Sequence, residues 1–158
     1  MIYIGIDGIV LRGRDAGTLR YFEELLRALT YVNVQNKYVV FVSSSSLSKV
    51  IPSQANFLFH QTAPSRLPLA LQQQFYHSWN ALGKLVFLHS VAFVPPMWPG
   101  CKTIATVPDL VFDLYPQTTK WTGRLWWKLF ARKSLQKSSR IITHSHSTKS
   151  DLHRYMAS

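Results

Sequence analysis

The chain has 158 residues, of which 47% are hydrophobic and 16% charged, so it can bury one core of ordinary size and is not a disordered tail. Its 18 lysines and arginines outnumber 7 aspartates and glutamates, and the net charge of +11 favours partners with negative charge, such as anionic lipid, phosphorylated ligands or nucleic acid. The single Cys101 excludes a disulfide framework and a cysteine-based zinc site, and indicates a reducing compartment.

Neither a signal peptide nor a transmembrane segment is predicted. The chain begins with a strand pattern and lacks a basic segment followed by a long apolar run. Its most apolar region, residues 85–98, is too short to span a bilayer. We therefore expect a cytoplasmic protein, and leave open a peripheral contact with the inner face of the membrane.

The first thirty residues predict a strand, a glycine-containing polar loop and an amphipathic helix. Ile2, Ile4 and Ile6 form a β-branched run that ends at Gly8, and the loop that follows contains Gly13 and Gly17. Apolar residues then recur at helical spacing from position 19 to position 29. In such a unit the carboxyl end of the strand and the amino end of the helix form a crevice, which often holds an anionic ligand.

Strands and helices alternate through the rest of the chain. Further strands are predicted at 38–42, 55–60, 84–89, 102–107 and 139–143, and helices at 69–82 and 119–138. A final helix has Ser147 or Thr148 as its predicted cap and Asp151 in its first turn. This alternation predicts a single α/β domain, a Rossmann-like three-layer sandwich with a mainly parallel sheet.

Four segments of the chain resemble a known family. They are IGIDGIVLRGRDAGTLRYFEELLRAL, VFLHSVAFVPP, TIATVPDLVFDLYP and SSRIITHSHSTKSDLHRY. Their content, order and spacing are similar to those of the amino-terminal domain of GT-B glycosyltransferases of family 4, glycosyltransferase group 1. Two positions depart from that pattern: Leu19 stands where a second glycine is usual, and Pro108 stands where many relatives have a histidine before Asp-Leu.

The resemblance implies a function for residues 1–158 as one half of a GT-B fold. This half is the acceptor-side domain of an enzyme that moves a sugar from a nucleotide-sugar to a glycan or a lipid-linked acceptor. The nucleotide-sugar is a co-substrate, held mainly by a second Rossmann-like domain that these residues lack, and neither a cofactor nor a metal is implied. We therefore expect the chain to be inactive alone, unless a separate polypeptide provides that second domain.

The candidate site residues lie in the matched segments, at or after predicted strand ends. The donor- or acceptor-binding candidates are Asp7, Gly8, Gly13, Gly17, Arg20, His89, Ser90 and Ser145, and the catalytic candidate is Asp109. Ordinary explanations stay open beside these roles: a simple βα turn for the first loop, a core position for His89, a turn or capping role for Asp109 and a helix cap for Ser145. A metal pair formed by His144 and His146 is not predicted.

The predicted helix at 119–138 has a second notable pattern. Lys120, Arg124, Lys128 and Arg132 recur every four residues, with Trp126 and Trp127 among the aromatic residues beside them. Cations next to tryptophan suit the headgroup layer of an anionic membrane. A solvated cationic face with aromatics packed on the sheet is the other interpretation.

A second hypothesis for the whole chain is therefore a non-catalytic basic module that docks on a membrane or a partner protein. No nucleic-acid motif accompanies the positive charge, so nucleic acid is not an expected partner.

Overall fold

The computed structural model describes residues 1–11, 16–32, 35–62, 71–74, 85–92 and 94–157. Six strands form one parallel sheet in the order β3-β2-β1-β4-β5-β6. Their bounds are β1 Tyr3–Gly8, β2 Lys37–Val42, β3 Phe57–Gln61, β4 Leu85–Ser90, β5 Lys102–Val107 and β6 Arg140–Thr143. The predicted α/β, Rossmann-like fold is confirmed, because this is the strand order of a doubly wound sheet.

Helical segments connect the strands. They are α1 (Ala16–Val32), a 3₁₀ segment (Ser45–Val50), one helical turn at 71–74, α2 (Val111–Leu114), a second 3₁₀ segment (Pro116–Thr118), α3 (Trp121–Trp126), a π-helical segment (Trp127–Ala131), α4 (Arg132–Lys137) and α5 (His146–Ala157). The predicted helix at 69–82 lies within the described residues only at 71–74. Residues 121–137 are helical throughout, and we call them the long helix.

Both faces of the sheet are covered. Strand β2 is a continuous apolar run that is buried from Tyr38 to Val42, as expected for a central strand of a parallel sheet. On one face Phe22 of α1 packs with Ile6 in a buried cluster. On the other face the long helix buries Leu135 against Val107, so the sheet is the middle layer of a three-layer sandwich.

Two glycines of β1 allow close packing of the sheet. A Cβ atom on Gly8 would lie 3.0 Å from the ring of Phe22, and one on Gly5 would lie 2.7 Å from Cδ1 of Leu88. The absence of a side chain at Gly8 therefore lets α1 approach the end of β1. Packing alone explains why glycine occupies this position.

The structure corrects three local predictions. Gly17 lies in the first turn of α1 rather than in the preceding loop. The cap of α5 is Ser145, whose Oγ accepts a hydrogen bond from the backbone N–H of Thr148 at 3.1 Å. The capping role left open for Ser145 is therefore confirmed, and the prediction of Ser147 or Thr148 as the cap is wrong. Asp151 lies beyond the first turn of α5 and forms an ion pair with Arg154, with a distance of 3.2 Å between Oδ1 and Nη2.

Within the described ranges, no helix has both the length and the apolar character needed to cross a bilayer.

Candidate functional site

The carboxyl edge of the sheet has a topological switch point between β1 and β4. After β1 the chain adds β2 and β3 on one side, whereas β4, β5 and β6 follow on the other. Asp7 of β1 is the register partner of Ser90 in β4, and Ile6 is the partner of His89. Ligands of doubly wound folds bind outside the carboxyl ends of the strands at such a point, so this edge is the candidate site.

Asp7 is fully buried at the switch point. Its Oδ1 accepts a hydrogen bond from the backbone N–H of Ile9 at 3.1 Å. Its Oδ2 accepts bonds from Nε2 of Gln73 at 2.5 Å and from Oγ of Ser90 at 3.1 Å. Hydrogen bonds to an ionised carboxylate are stronger than neutral ones, so Asp7 links the turn at 71–74 to β1 and β4. Because the carboxylate of Asp7 is buried, a ligand cannot reach it. Asp7 therefore has a structural role at this edge of the sheet.

His89 belongs to a different network, on the face of the sheet that α1 covers. Its Nε2 lies 2.8 Å from Oγ1 of Thr106, and the same Oγ1 lies 3.1 Å from the hydroxyl of Tyr21. We call Tyr21, His89 and Thr106 the Thr106 network. Consecutive residues of a strand point to opposite faces, so His89 and Ser90 do not face one crevice as the sequence suggested.

The histidine of the Thr106 network is uncharged at neutral pH. Burial lowers the pKa of His89 to about 4, and the negative charge of Asp7 opposes this shift only in part. The core interpretation of His89 is therefore supported, since the ring is 7% exposed and bonded to Thr106. The network reaches the surface through Tyr21, whose ring contacts the exposed ring of His144 with a centroid distance of 4.8 Å.

Sequence reasoning missed Tyr21 and Thr106. Tyr21 sits in the second turn of an amphipathic helix, where a tyrosine is easily taken for a packing residue. Thr106 lies one residue before the end of a predicted strand, whereas the candidate residues were chosen at or after strand ends. Pairing the two required the fold, because they are 85 positions apart in the chain.

Asp109 follows β5 and is exposed. Its Oδ1 accepts a hydrogen bond from the backbone N–H of Val111 at 3.1 Å, which makes it a turn carboxylate at the start of α2. The neighbouring Pro108 has a structural contact of its own, because its carbonyl oxygen accepts a bond from Oγ1 of Thr148 at 3.2 Å. This hydrogen bond connects the segment after β5 to α5, and the solvent-accessible carboxylate of Asp109 lies next to it in the chain.

The remaining predicted site residues are placed as follows. Ser145 follows β6 at the same edge of the sheet, where it is exposed and caps α5. Arg20 is exposed in the second turn of α1, and Gly17 is exposed with no atom within 4 Å of an added Cβ. Gly13 lies outside the described residues. The edge therefore brings together Asp7, Gly8, His89, Ser90, Asp109 and Ser145, at or after the ends of β1, β4, β5 and β6.

A groove of about 870 Å³ lies between the long helix, the segment 112–116 and α5. We call it the basic groove, because three cations of the predicted stripe line it: Arg124, Lys128 and Arg132. Its other lining residues are Phe112, Asp113, Pro116, Trp121, Leu125, Trp127 and Tyr155. Lys120 precedes the long helix and does not line the groove.

The structure shows the side-chain environment of one of the two tryptophans that the sequence placed beside the cationic stripe. Trp127 is 3% exposed and stacks on Phe112 with a centroid distance of 5.6 Å, so for this residue the structure supports the interpretation in which the aromatics are packed inside. Its neighbours come from α2 and α5, which close over the ring. The side chain of Trp126 lies outside the described part of the structure.

In the described part of the chain, no three histidine, cysteine, aspartate or glutamate side chains come together as metal ligands. Comparison of the chain with protein-family models, with curated proteins and with solved structures finds no match in any of the three. The family resemblance therefore stays a prediction that rests on the four sequence segments.

Proposed function

We propose that residues 1–158 are the acceptor-side domain of a GT-B glycosyltransferase, which binds a glycan or a lipid-linked sugar. The observation that supports this proposal is convergence at one edge. The matched segments are far apart in sequence, yet their polar residues Asp7, His89, Asp109 and Ser145 lie at or just after the ends of β1, β4, β5 and β6.

The chemistry of the edge suits a neutral, hydroxyl-rich ligand. The hydroxyls of Tyr21 and Ser145 can each donate or accept a hydrogen bond. Of the carboxylates that the structure describes at this edge, Asp7 is buried and Asp109 is exposed. Asp109 is therefore the group that can accept a hydrogen bond from an acceptor hydroxyl, and position it for transfer.

The nucleotide-sugar donor requires a second protein surface that faces this edge of the sheet. In the proposed arrangement another Rossmann-like domain holds the nucleotide-sugar and closes over the edge described above. Closure excludes water and aligns the acceptor hydroxyl with the anomeric carbon. A polypeptide of residues 1–158 should then bind acceptor without transferring sugar.

The proposal is tested by titrating isotope-labelled protein with acceptor glycans and lipid-linked sugars, and following backbone amide signals by NMR. We expect shifts at Gly8, Ser90, Asp109 and Ser145 with an acceptor, and no sugar transfer when a nucleotide-sugar is added. Asp109→Asn should weaken acceptor binding about tenfold, because it removes the charge from a hydrogen-bond acceptor.

The matched control is Asp113→Asn, an exposed carboxylate four positions further on. Equal weakening by both variants would contradict the role of Asp109. Signal shifts confined to surfaces away from the carboxyl edge would contradict the proposed function, and transfer by residues 1–158 alone would overturn the division between two domains.

A second candidate function, docking on an anionic membrane, is favoured by the exposed side of the long helix. Trp121, Leu125 and Leu129 follow one another every four residues and are 72%, 47% and 53% exposed. Arg124 and Lys128 are exposed in the same stretch. Apolar side chains beside cations are typical of helices that lie in the interfacial layer of a bilayer.

Flotation of the protein with liposomes tests membrane docking. We expect recovery with vesicles that contain anionic lipid, and a loss of about tenfold in partitioning for the double variant Leu125→Gln, Leu129→Gln, since both apolar side chains would leave the bilayer. The control Tyr31→Gln, Val32→Gln changes two exposed apolar residues at the end of α1 and should have no effect. Equal recovery with neutral and anionic vesicles would contradict docking by this surface.

A further inference from the structure

Among the residues that the structure describes, the basic groove has more positive than negative side chains, and no ion pair offsets this excess. It is lined by three cations, Arg124, Lys128 and Arg132, and by one carboxylate, that of Asp113. The ion pairs found among the described residues are Arg27 with Glu24 and Arg154 with Asp151, and neither includes a groove cation. Like charges four residues apart destabilise a helix slightly. The groove thus retains a net charge that an anion would neutralise.

The π-helical segment holds these cations on one side of the helix. In a regular α-helix, residues four apart advance about 40° beyond a full turn, so a stripe at this spacing drifts around the axis. The π-helical segment at Trp127–Ala131 has more residues in its turn and offsets this drift between Arg124 and Arg132. Single π-helical turns are uncommon and frequently occur at functional sites.

Aromatic rings form the apolar part of the groove. The ring of Trp127 stacks on that of Phe112 and contacts that of Tyr155 with a centroid distance of 5.7 Å. Burial and then the charge of Asp113 raise the pKa of Tyr155, whereas the charge of Arg132 and a hydrogen bond with its backbone oppose this shift. Trp121 lines the groove and is largely exposed. The groove therefore offers cations and an exposed indole ring in a volume that suits a small organic molecule.

Arg132 is held in place within the groove. Its Nη2 donates a hydrogen bond to the carbonyl oxygen of Met156 at 3.2 Å, which joins the long helix to the end of α5. A guanidinium that is already fixed loses less conformational freedom when it binds a ligand. Arg124 and Lys128 are exposed and can close on an anion from the same helix.

We propose that the basic groove binds a phosphate monoester joined to an aromatic or otherwise apolar group. A phosphate monoester has a charge of about −1.5 to −2 at neutral pH, which matches three cations and one carboxylate. Arginine recognises phosphate oxygens through two parallel hydrogen bonds, and the exposed ring of Trp121 can cover the apolar group. This proposal does not depend on the proposed sugar transfer, because none of the groove residues belongs to the Thr106 network or to the switch point.

Calorimetric titration with phenyl phosphate tests the proposal, with inorganic phosphate and phenol as partial ligands. We expect phenyl phosphate to bind more tightly than either part. The double variant Arg124→Gln, Lys128→Gln should weaken its binding at least tenfold. The double variant Lys133→Gln, Lys149→Gln removes the same charge from exposed positions outside the groove, and should leave binding within twofold of the original. Thermal unfolding verifies that both variants are folded.

Vesicles distinguish a free phosphate ester from a lipid headgroup. If the natural source is a lipid, vesicles of phosphatidic acid, a monoester, should bind the protein, and the groove variant should lose this binding while the control variant keeps it. Binding of soluble phenyl phosphate with the same dependence on the groove supports a free ligand. The proposal is overturned if both double variants weaken binding equally, or if neither phenyl phosphate nor phosphatidic acid binds in a groove-dependent way.

Discussion

Asp7→Ala is expected to lower the free energy of unfolding by about 3 kcal/mol, although Asp7 is one polar residue at the end of a strand. The substitution leaves three donors without their acceptor in a buried site: the amide of Ile9, the side-chain amide of Gln73 and the hydroxyl of Ser90. Each buried donor without a partner costs about 1–3 kcal/mol, and partial relaxation recovers some of that cost. Urea unfolding followed by tryptophan fluorescence measures the change.

The matched control for Asp7→Ala is Asp109→Ala. Asp109 also follows a strand of the same edge, but it is exposed and accepts a bond from the amide of Val111, which water can satisfy after the substitution. We expect a loss of about 1 kcal/mol or less for this variant. Equal losses for the two variants would show that the carboxylate of Asp7 does not hold the switch point together.

Acidification from pH 7 to pH 4 is expected to remove about 3 kcal/mol of stability through His89 alone. The pKa of His89 is lowered to about 4 in the folded state, whereas an unfolded histidine titrates near its ordinary value of 6.5. The unfolded chain therefore binds a proton first as the pH falls. The stabilising contribution is complete above about pH 6.5 and is lost progressively as the pH approaches 4.

His89→Gln isolates this contribution, because glutamine can still bond to Thr106 but does not titrate. The variant should lose less stability than the original protein between pH 6.5 and pH 4, by about 3 kcal/mol. His153→Gln changes an exposed histidine of α5 and serves as the control, with a pH profile like that of the original protein. Parallel stability profiles for all three proteins would disprove the assignment to His89.

The strands could be predicted because their signal is local. A run such as Tyr38–Val42 is apolar at every position, and only a strand with two covered faces suits it. All six predicted strands lie within two residues of the observed bounds. The amphipathic pattern of α1 was equally informative, since Phe22 and Leu26 share a face and both are fully buried.

The geometry of the site depended on partners that are distant in the chain. Asp7 could be assigned to a strand end, but its burial follows from Gln73 and Ser90, which are 66 and 83 positions away. Likewise, the sequence left open whether Trp127 is exposed or buried, and its contacts with Phe112 and Tyr155 decide that it is buried. Sequence periodicity does not reveal contacts between residues that are distant in the chain. The π-helical segment also interrupts the 3.6-residue period from which the long helix was predicted.

The sequence offered three possible caps for α5 and did not choose correctly among them. Ser145, Ser147 and Thr148 are all good capping residues and lie within four positions, so local propensity did not separate them. In the structure the hydroxyl of Thr148 donates instead to the carbonyl of Pro108, forty positions away, and the amide of Thr148 donates to Oγ of Ser145.

Thr106 has one hydroxyl proton to share between His89 and Tyr21. If Nε2 of His89 is the unprotonated nitrogen, Thr106 donates to it and Tyr21 must donate to Thr106, which turns the lone pairs of Tyr21 outward. If Nε2 carries the hydrogen, Thr106 is free to donate to Tyr21, and the phenolic hydrogen of Tyr21 then points away from the sheet. The tautomer of the buried His89 ring thereby determines whether the hydroxyl of Tyr21, beside His144, presents a hydrogen-bond donor or an acceptor to a ligand.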